Sequence, residues 1–326
     1  MRPLRSIGDV IDKWVFEMRY LASISDCRSS FFKLVAWLLL TGALPQFAAA
    51  SETLKKIQEN RTVVLAFMGV VDNLSPFVLI EPDGEVSGYS IDICLKIVQG
   101  IKREMKLPNI KIQFIPVNTS TRFSALLDNR ADLECSVSTN NADRRKSFSF
   151  TIPHFFTSVR MLVHVNSGIK DWSDLRNKRI VTTKGTAMSD VINKRSNIAG
   201  LGLAITELES DQECVRMLEQ GLADAFVMDE ILLYGARASA GNPDKLVIAG
   251  TSLSVEPYAI MLRKDDPEFK KMVDKQMAKL VASGEILRLY NRWFMQPIGP
   301  ERRMLNMPMS YILRDSLRYP TDKITN

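Results

Sequence analysis

Apolar positions in this chain recur with a period of two in some stretches and of three to four in others. Thr62 to Phe67 is a run of β-branched and apolar residues, and Ile110, Ile112 and Phe114 alternate with polar neighbours; both patterns predict strands. Between them Ile91, Cys94, Leu95, Val98, Ile101 and Met105 fall on one face of a helix, with Ser90 as its cap. Thr53 to Ile57 reads as a short helix, and Pro82-Asp83-Gly84 as a turn between two strand-like pieces. Thr119-Ser120-Thr121 caps a helix through Phe123, Leu126 and Leu127, and Leu133 to Val137 is the next strand.

The order then recurs. Arg179 to Thr183 predicts a strand, Lys184-Gly185-Thr186 a glycine turn opening a helix through Val191 and Ile192, and Leu203 to Ile205 another strand. Asp211 caps a helix through Val215 and Leu218, and Ala225 to Met228 is a strand ending on Asp229. Each half carries a helix end, a polar turn, Ala-Asp and an apolar strand: Leu127 to Asp132 in one, Leu218 to Asp224 in the other. Two similar α/β units with parallel sheets covered on both faces follow from that order. Asp266 and Pro267 start a helix running to Gly284, a second spans Ile286 to Phe294, and the tail from Pro297 reads as irregular.

Length and charge fit this picture. A chain of 326 residues, 46% hydrophobic and 25% charged, suffices for two cores of about 100 to 150 residues. The net charge of +6 includes +2 from residues 1–50, and the remaining +4 is spread without long basic runs, so a nucleic-acid footprint is not indicated. Within those fifty residues, Lys33 precedes the apolar run Leu34 to Leu44 and then Ala48-Ala49-Ala50, the order of a secretory signal. Eleven apolar residues are too few to span a bilayer. Cleavage near Ser51 leaves Cys94, Cys135 and Cys214, which allow at most one bridge; their apolar surroundings favour burial without one. His154 and His164 lie in no metal-ligand spacing, so neither metal nor cofactor is expected.

The most informative stretch runs from Glu134 to Arg145. A strand turns polar into Ser138, Thr139, Asn140 and Asn141, and five residues after Thr139 stands Arg144. A guanidinium beside a hydroxyl at a strand end makes a carboxylate clamp, although an arginine in a polar turn is more often simply solvated.

With Gly88-Tyr89-Ser90-Ile91-Asp92, Glu134 to Arg144, Thr183 to Thr186, Met228-Asp229, Leu262 to Pro267 and Arg292-Trp293-Phe294 in this order, the chain resembles the periplasmic amino-acid-binding proteins of ABC importers. Within them it is most similar to the glutamate/aspartate-binding branch. The resemblance runs from about residue 53 to the end. It implies a bilobal type II fold: residues 51–153 plus 259–326 in lobe one, 159–253 in lobe two, and hinges near 154–158 and 254–258. It implies a free monomer in the periplasm that delivers an amino-acid ligand to membrane permease subunits.

The same resemblance implies roles for single residues. Arg144 would hold the ligand α-carboxylate with Thr139 and the backbone N–H groups of Gly185, Thr186 and Ala187. Asp229 would take the α-ammonium with the Val137 carbonyl, the alternative being that it caps the following helix. Thr119 and Arg122 match readers of an acidic side chain, and Arg122 reads equally as a surface helix residue. The chain departs from the branch at two places. Phe67 or Met68 stands where acidic-ligand members carry an arginine, and Asp211 where they carry a histidine. An amino acid with a polar, uncharged side chain is therefore expected to compete with glutamate and aspartate for the assignment.

Two other function classes share the fold. A cyclic-acid dehydratase-like enzyme would draw an acid/base pair from Asp229, Asp211 and Glu134, and a sensory binding protein would serve a receptor.

Overall fold

The Ser51 hydroxyl accepts the Leu54 amide and so caps the helix Glu52–Asn60. A computed structural model describes residues 51–69, 76–299, 302 and 304–323. Residues 1–50, where a secretory signal is expected, and the loop residues Asp72, Asn73 and Ser75 lie outside the described residues. In chain order the strands are β1 Thr62–Met68, β2 Leu79–Ile80, β3 Val86–Ser87, β4 Lys111–Val117, β5 Leu133–Glu134, β6 Phe148–Phe150, β7 Phe155–His164, β8 Arg179–Thr183, β9 Ala204–Leu208, β10 Ala225–Asp229, β11 Leu246–Ala249, β12 Val255–Tyr258 and β13 Met261–Arg263.

β2 and β3 pair only with each other, and the other strands form two mixed sheets. The first has the order β4-β1-β5-β13-β6, the second β11-β7-β10-β8-β9, and β12 joins the second through β7. Helix-strand alternation predicts parallel pairing, and it holds at β1–β4, β1–β5, β8–β9 and β8–β10. Elsewhere the pairing is antiparallel, at β7–β10, β7–β11, β7–β12, β5–β13 and β6–β13, so the sheets are mixed. Each sheet has its own apolar core.

The repeated Ala-Asp signature has a physical cause. Asp132 accepts the Val64 amide of β1 at 2.8 Å while its own amide donates to the Val64 carbonyl. Asp224 does the same to Arg179 at the start of β8. In both halves the aspartate locks the register of a parallel pair at the point where a left-handed turn residue, Asn129 or Gly221, has reversed the chain.

Several elements differ from the sequence pattern. Gly88, with φ of 131°, precedes the helix Tyr89–Met105; Ser90 lies inside it, buried, and donates to the Ser136 carbonyl instead of capping. The Leu133 strand stops at Glu134, since the next residues bond to β1 and β12 one at a time. The tail contains a helix, Tyr311–Arg318, capped by Ser310 and seated by the buried Leu313. Cys94 and Cys135 form a disulfide, which corrects the expectation of burial without a bridge: the helix face and the strand end that carry them abut across the first core. Cys214 is the free, buried thiol among the described residues, and burial pushes it up to about 12.

The segments named as hinges pair with each other. Val255↔Ser158, Glu256↔Thr157, Pro257↔Phe156 and Tyr258↔Phe155 form an antiparallel ladder that runs between the two sheets.

Candidate functional site

The carboxyl ends of strands from both sheets meet at a cleft of about 230 Å³. The loop after β5 is fixed by its backbone: Cys135 N–H donates to Ala66, Asn140 N–H to Pro257, and Ala259 N–H to Ser138. Thr139 bridges Tyr258 and is buried. Asn141 accepts the Arg144 amide on its side chain at 2.9 Å, an Asx turn that aims Arg144 back over the loop. Its guanidinium donates to the Thr139 carbonyl at 3.1 Å and, across the cleft, to the Gly185 carbonyl at 3.4 Å.

Arg122 is no surface residue. It is 3% exposed and donates to Ser138 Oγ and to the Gly185 carbonyl, each at 3.0 Å. Its guanidinium lies 4.9 Å, and that of Arg144 5.3 Å, from the Phe123 ring centroid, so one aromatic face steadies both cations. The Asn118 side chain accepts the Ser120 and Thr121 amides at the helix start, which leaves Thr119 to line the cleft. Burial, then repulsion from Arg122, brings Arg144 down to about 9, still protonated at neutral pH.

From the second sheet, the turn after β8 brings Gly185 against the first wall. With φ of +75°, a Cβ there would sit 2.7 Å from the Thr119 carbonyl oxygen, so glycine permits this approach. The expected anion cradle at residues 185–187 is smaller than the sequence suggests. The Thr186 amide is used inside the turn by the Thr183 carbonyl, Gly185 presents its carbonyl to the arginines, and the helix begins only at Met188. Thr186 and Ala187 still line the cleft.

Asp229 closes β10 at the N-cap position of the helix Glu230–Ala238, yet its side chain makes no capping bond. Thr157 Oγ1 takes the Ile231 amide instead, at 3.4 Å. Asp229 is 5% exposed; Tyr258 donates its hydroxyl to Oδ2 at 2.7 Å, while Oδ1 is buried with no partner among the described residues. Burial, then the nearby Glu256 carboxylate, raise Asp229 to about 7.

Asp211 is the first residue of the helix Asp211–Glu219, not its cap; Ser210 accepts the Glu213 amide. The Asp211 carboxylate lines the cleft and accepts the Thr183 hydroxyl. Val137 and Met68 line the cleft as well. Phe67 does not, because the alternation of β1 turns it into the core against Phe114. Sequence reasoning missed Glu256 and Tyr258. Glu256 is buried between Val255 and Pro257, and Ser254 donates to it at 2.6 Å. A lone acid in the apolar run Val255 to Ile260 was the available signal.

The Asp229 environment gives a signed pH prediction. A cationic group bound at Oδ1 competes with a proton, so affinity should fall by roughly tenfold per pH unit below about 7 and level off above it. Because the folded value lies above the ordinary 3.8, the ligand-free protein should lose stability as pH rises from about 4 to 7. Titration calorimetry and thermal melts at pH 5, 6, 7 and 8 would read both slopes. A flat affinity profile would exclude Asp229 from contact with the ligand.

Among the described residues no cluster of His, Cys, Asp and Glu is arranged to hold a metal, and no helix is long and apolar enough to cross a membrane. Residues 67–296 match the family model of the bacterial extracellular solute-binding proteins, family 3. The chain belongs to that family. Two relatives show the similarity over most of the chain. The L-glutamate/L-aspartate-binding protein of Pseudomonas aeruginosa is 40% identical over 273 residues, covering 83% of this chain and 89% of that protein. The glutamate/aspartate import solute-binding protein of Escherichia coli is 34% identical over 278 residues, covering 85% and 91%. In three dimensions, an ancestral amino-acid-binding protein described as a precursor of cyclohexadienyl dehydratase superposes with a TM-score of 0.60 at 23% identity. It covers 75% of this chain and 99% of its own. The fold is thus the bilobal α/β fold of the periplasmic amino-acid-binding proteins.

Proposed function

We propose that this family 3 protein is the solute-binding component of an ABC importer and encloses one α-amino acid between its two sheets. The observation that carries the reading is the pair Arg144 and Asp229. A guanidinium fork from one wall and a buried carboxylate with an unpartnered oxygen from the other face the same cleft. A zwitterion supplies the two groups they lack, and burying each ligand charge against a fixed partner avoids an unpaired ion. Arg144 with Thr139 would take the α-carboxylate, and Asp229 with the Val137 carbonyl the α-ammonium. The relatives named for glutamate and aspartate support an amino acid as ligand.

Lobe one would comprise residues 51–153 and 259–326, and lobe two residues 159–253, turning about the paired strands β7 and β12. Because each lobe holds one half of the charge pair, ligand should draw them together. Small-angle scattering with and without amino acid should give a smaller radius of gyration in the bound state. An unchanged radius together with no heat on titration with any of the twenty amino acids would overturn the reading. The protein would act as a monomer in the periplasm and hand its ligand to permease subunits. Intact mass of secreted material should begin near Ser51, and a chain that keeps residues 1–50 would argue against export.

A further inference from the structure

Beyond the helix Glu285–Met295 the chain returns to the loop that carries Arg144, and what it does there rests on the amino-acid reading above. The Met307 amide donates to the Phe294 carbonyl and the Tyr290 hydroxyl to the Pro308 carbonyl, which ties the start of the tail to that helix. Ser310 then caps the helix Tyr311–Arg318; its Leu313 is wholly buried in the first core, and its Leu317 packs against the same core. This helix lies beside β7, one of the two strands whose ladder runs between the sheets. Pro320 forces Tyr319 out of helical geometry, with φ of −122° and ψ of 70°, and the chain turns toward Asp322. There it is held at two points. The Asp322 carboxylate accepts Lys270 Nζ of the helix Pro267–Ala282 at 2.9 Å, and its backbone carbonyl accepts the Asn140 side-chain amide at 3.1 Å.

Asn140 stands between Thr139 and Asn141 in the loop after β5 and exposes no surface. Its backbone amide donates to Pro257 of β12 at 2.8 Å, its Oδ1 accepts Arg145 at 3.0 Å, and its Nδ2 donates to Asp322. The partners dictate which way the side-chain amide faces, because a guanidinium only donates and a carbonyl only accepts. Fixing Asn140 also fixes the Thr139 carbonyl before it and the Asn141 side chain after it, the two groups that aim Arg144. Withdrawing the Asp322 carbonyl would leave a buried donor unmet, so the loop would favour arrangements that satisfy that donor and turn Arg144 away. Asp322 itself does not line the cleft, so its effect on binding passes through the loop.

We propose that Asn140 and Asp322 are positioning residues for amino-acid binding, and that the tail is a strap holding the Arg144 loop in the shape that grips the α-carboxylate. The full-length parent is titrated calorimetrically with each of the twenty amino acids, and its tightest binder is the probe for the variants. Asn140→Ala should weaken binding roughly tenfold. Asp322→Ala should weaken it about fivefold. Its ligand-free melting point should stay within about 2 °C of the parent, since the Asp322 side chain is 41% exposed and such an ion pair adds little stability. Adding Asp322→Ala to Asn140→Ala should cost nothing further, because both break one link. Asp322→Asn can still accept from Lys270 and should bind within about twofold of the parent. A tail that only stabilises the fold would lower the melting point of Asp322→Ala and leave its affinity unchanged, which would overturn the strap and leave the amino-acid reading standing. Losses that add in the double variant, or an Asp322→Asn protein as weak as Asp322→Ala, would also overturn it. No heat from any amino acid with the parent would remove both.

Discussion

Arg144→Ala should lower amino-acid affinity by at least about 3 kcal/mol, roughly a hundredfold, while leaving the protein folded. The loss is large because the cleft is rich in acids. With Arg144 gone, an α-carboxylate would meet Asp229 without the fork that offsets it, since Arg122 already donates to Ser138 and Gly185. The fold should not suffer equally. Arg144 sits beside another guanidinium, and removing it relieves that repulsion while the loop keeps its backbone bonds to β12. Arg144→Lys should fall between the two proteins, because an ammonium keeps the charge and loses the two-pronged geometry. Calorimetric titration with a parallel thermal melt separates the effects. Undiminished affinity in a folded Arg144→Ala protein would take the residue out of the site.

The site could be read from sequence wherever one residue type at a strand end implied one chemistry. Thr139, Arg144, Asp211 and Asp229 follow strands or open helices in the pattern, and all four line the same cleft. Backbone conformation was harder to foresee. Whether residues 185–187 offer amides or carbonyls depends on Gly185 adopting a positive φ, which turns its carbonyl toward the arginines. Asp229 and Asp211 both look like helix caps, but Thr157 and Ser210 do that work from elsewhere. Phe67 and Met68 could not be told apart until the register of β1 against β4 and β5 placed one in the core and the other at the cleft. The least legible part was the crossing. Strands β7 and β12 are far apart in sequence, so no local period marks their pairing or the burial of Glu256 and Tyr258 within it.

The second large effect concerns the Cys94–Cys135 bridge. Replacing both cysteines by alanine should destabilise the protein by up to about 4 kcal/mol, the chain-entropy value for closing a loop of 41 residues. In a protein of this size that corresponds to a melting point lower by roughly 10 °C. Both sulfurs are buried in the first core, so alanine leaves a small apolar gap and no stranded polar group. The consequence for binding should be smaller than for stability. Cys135 stands immediately before the loop that carries Val137, Thr139 and Arg144, but that loop is also held by Cys135 N–H to Ala66, Asn140 N–H to Pro257 and the Thr139–Tyr258 bridge. Well below the melting point, ligand affinity should therefore drop by no more than a few-fold. Above it, ligand should restore part of the lost stability by mass action. Melting curves of the double variant and of the parent protein, each with and without ligand, would test this. A melting point within 2 °C of the parent would mean that packing of the helix Tyr89–Met105 on β5, and not the covalent link, holds that corner of the cleft together.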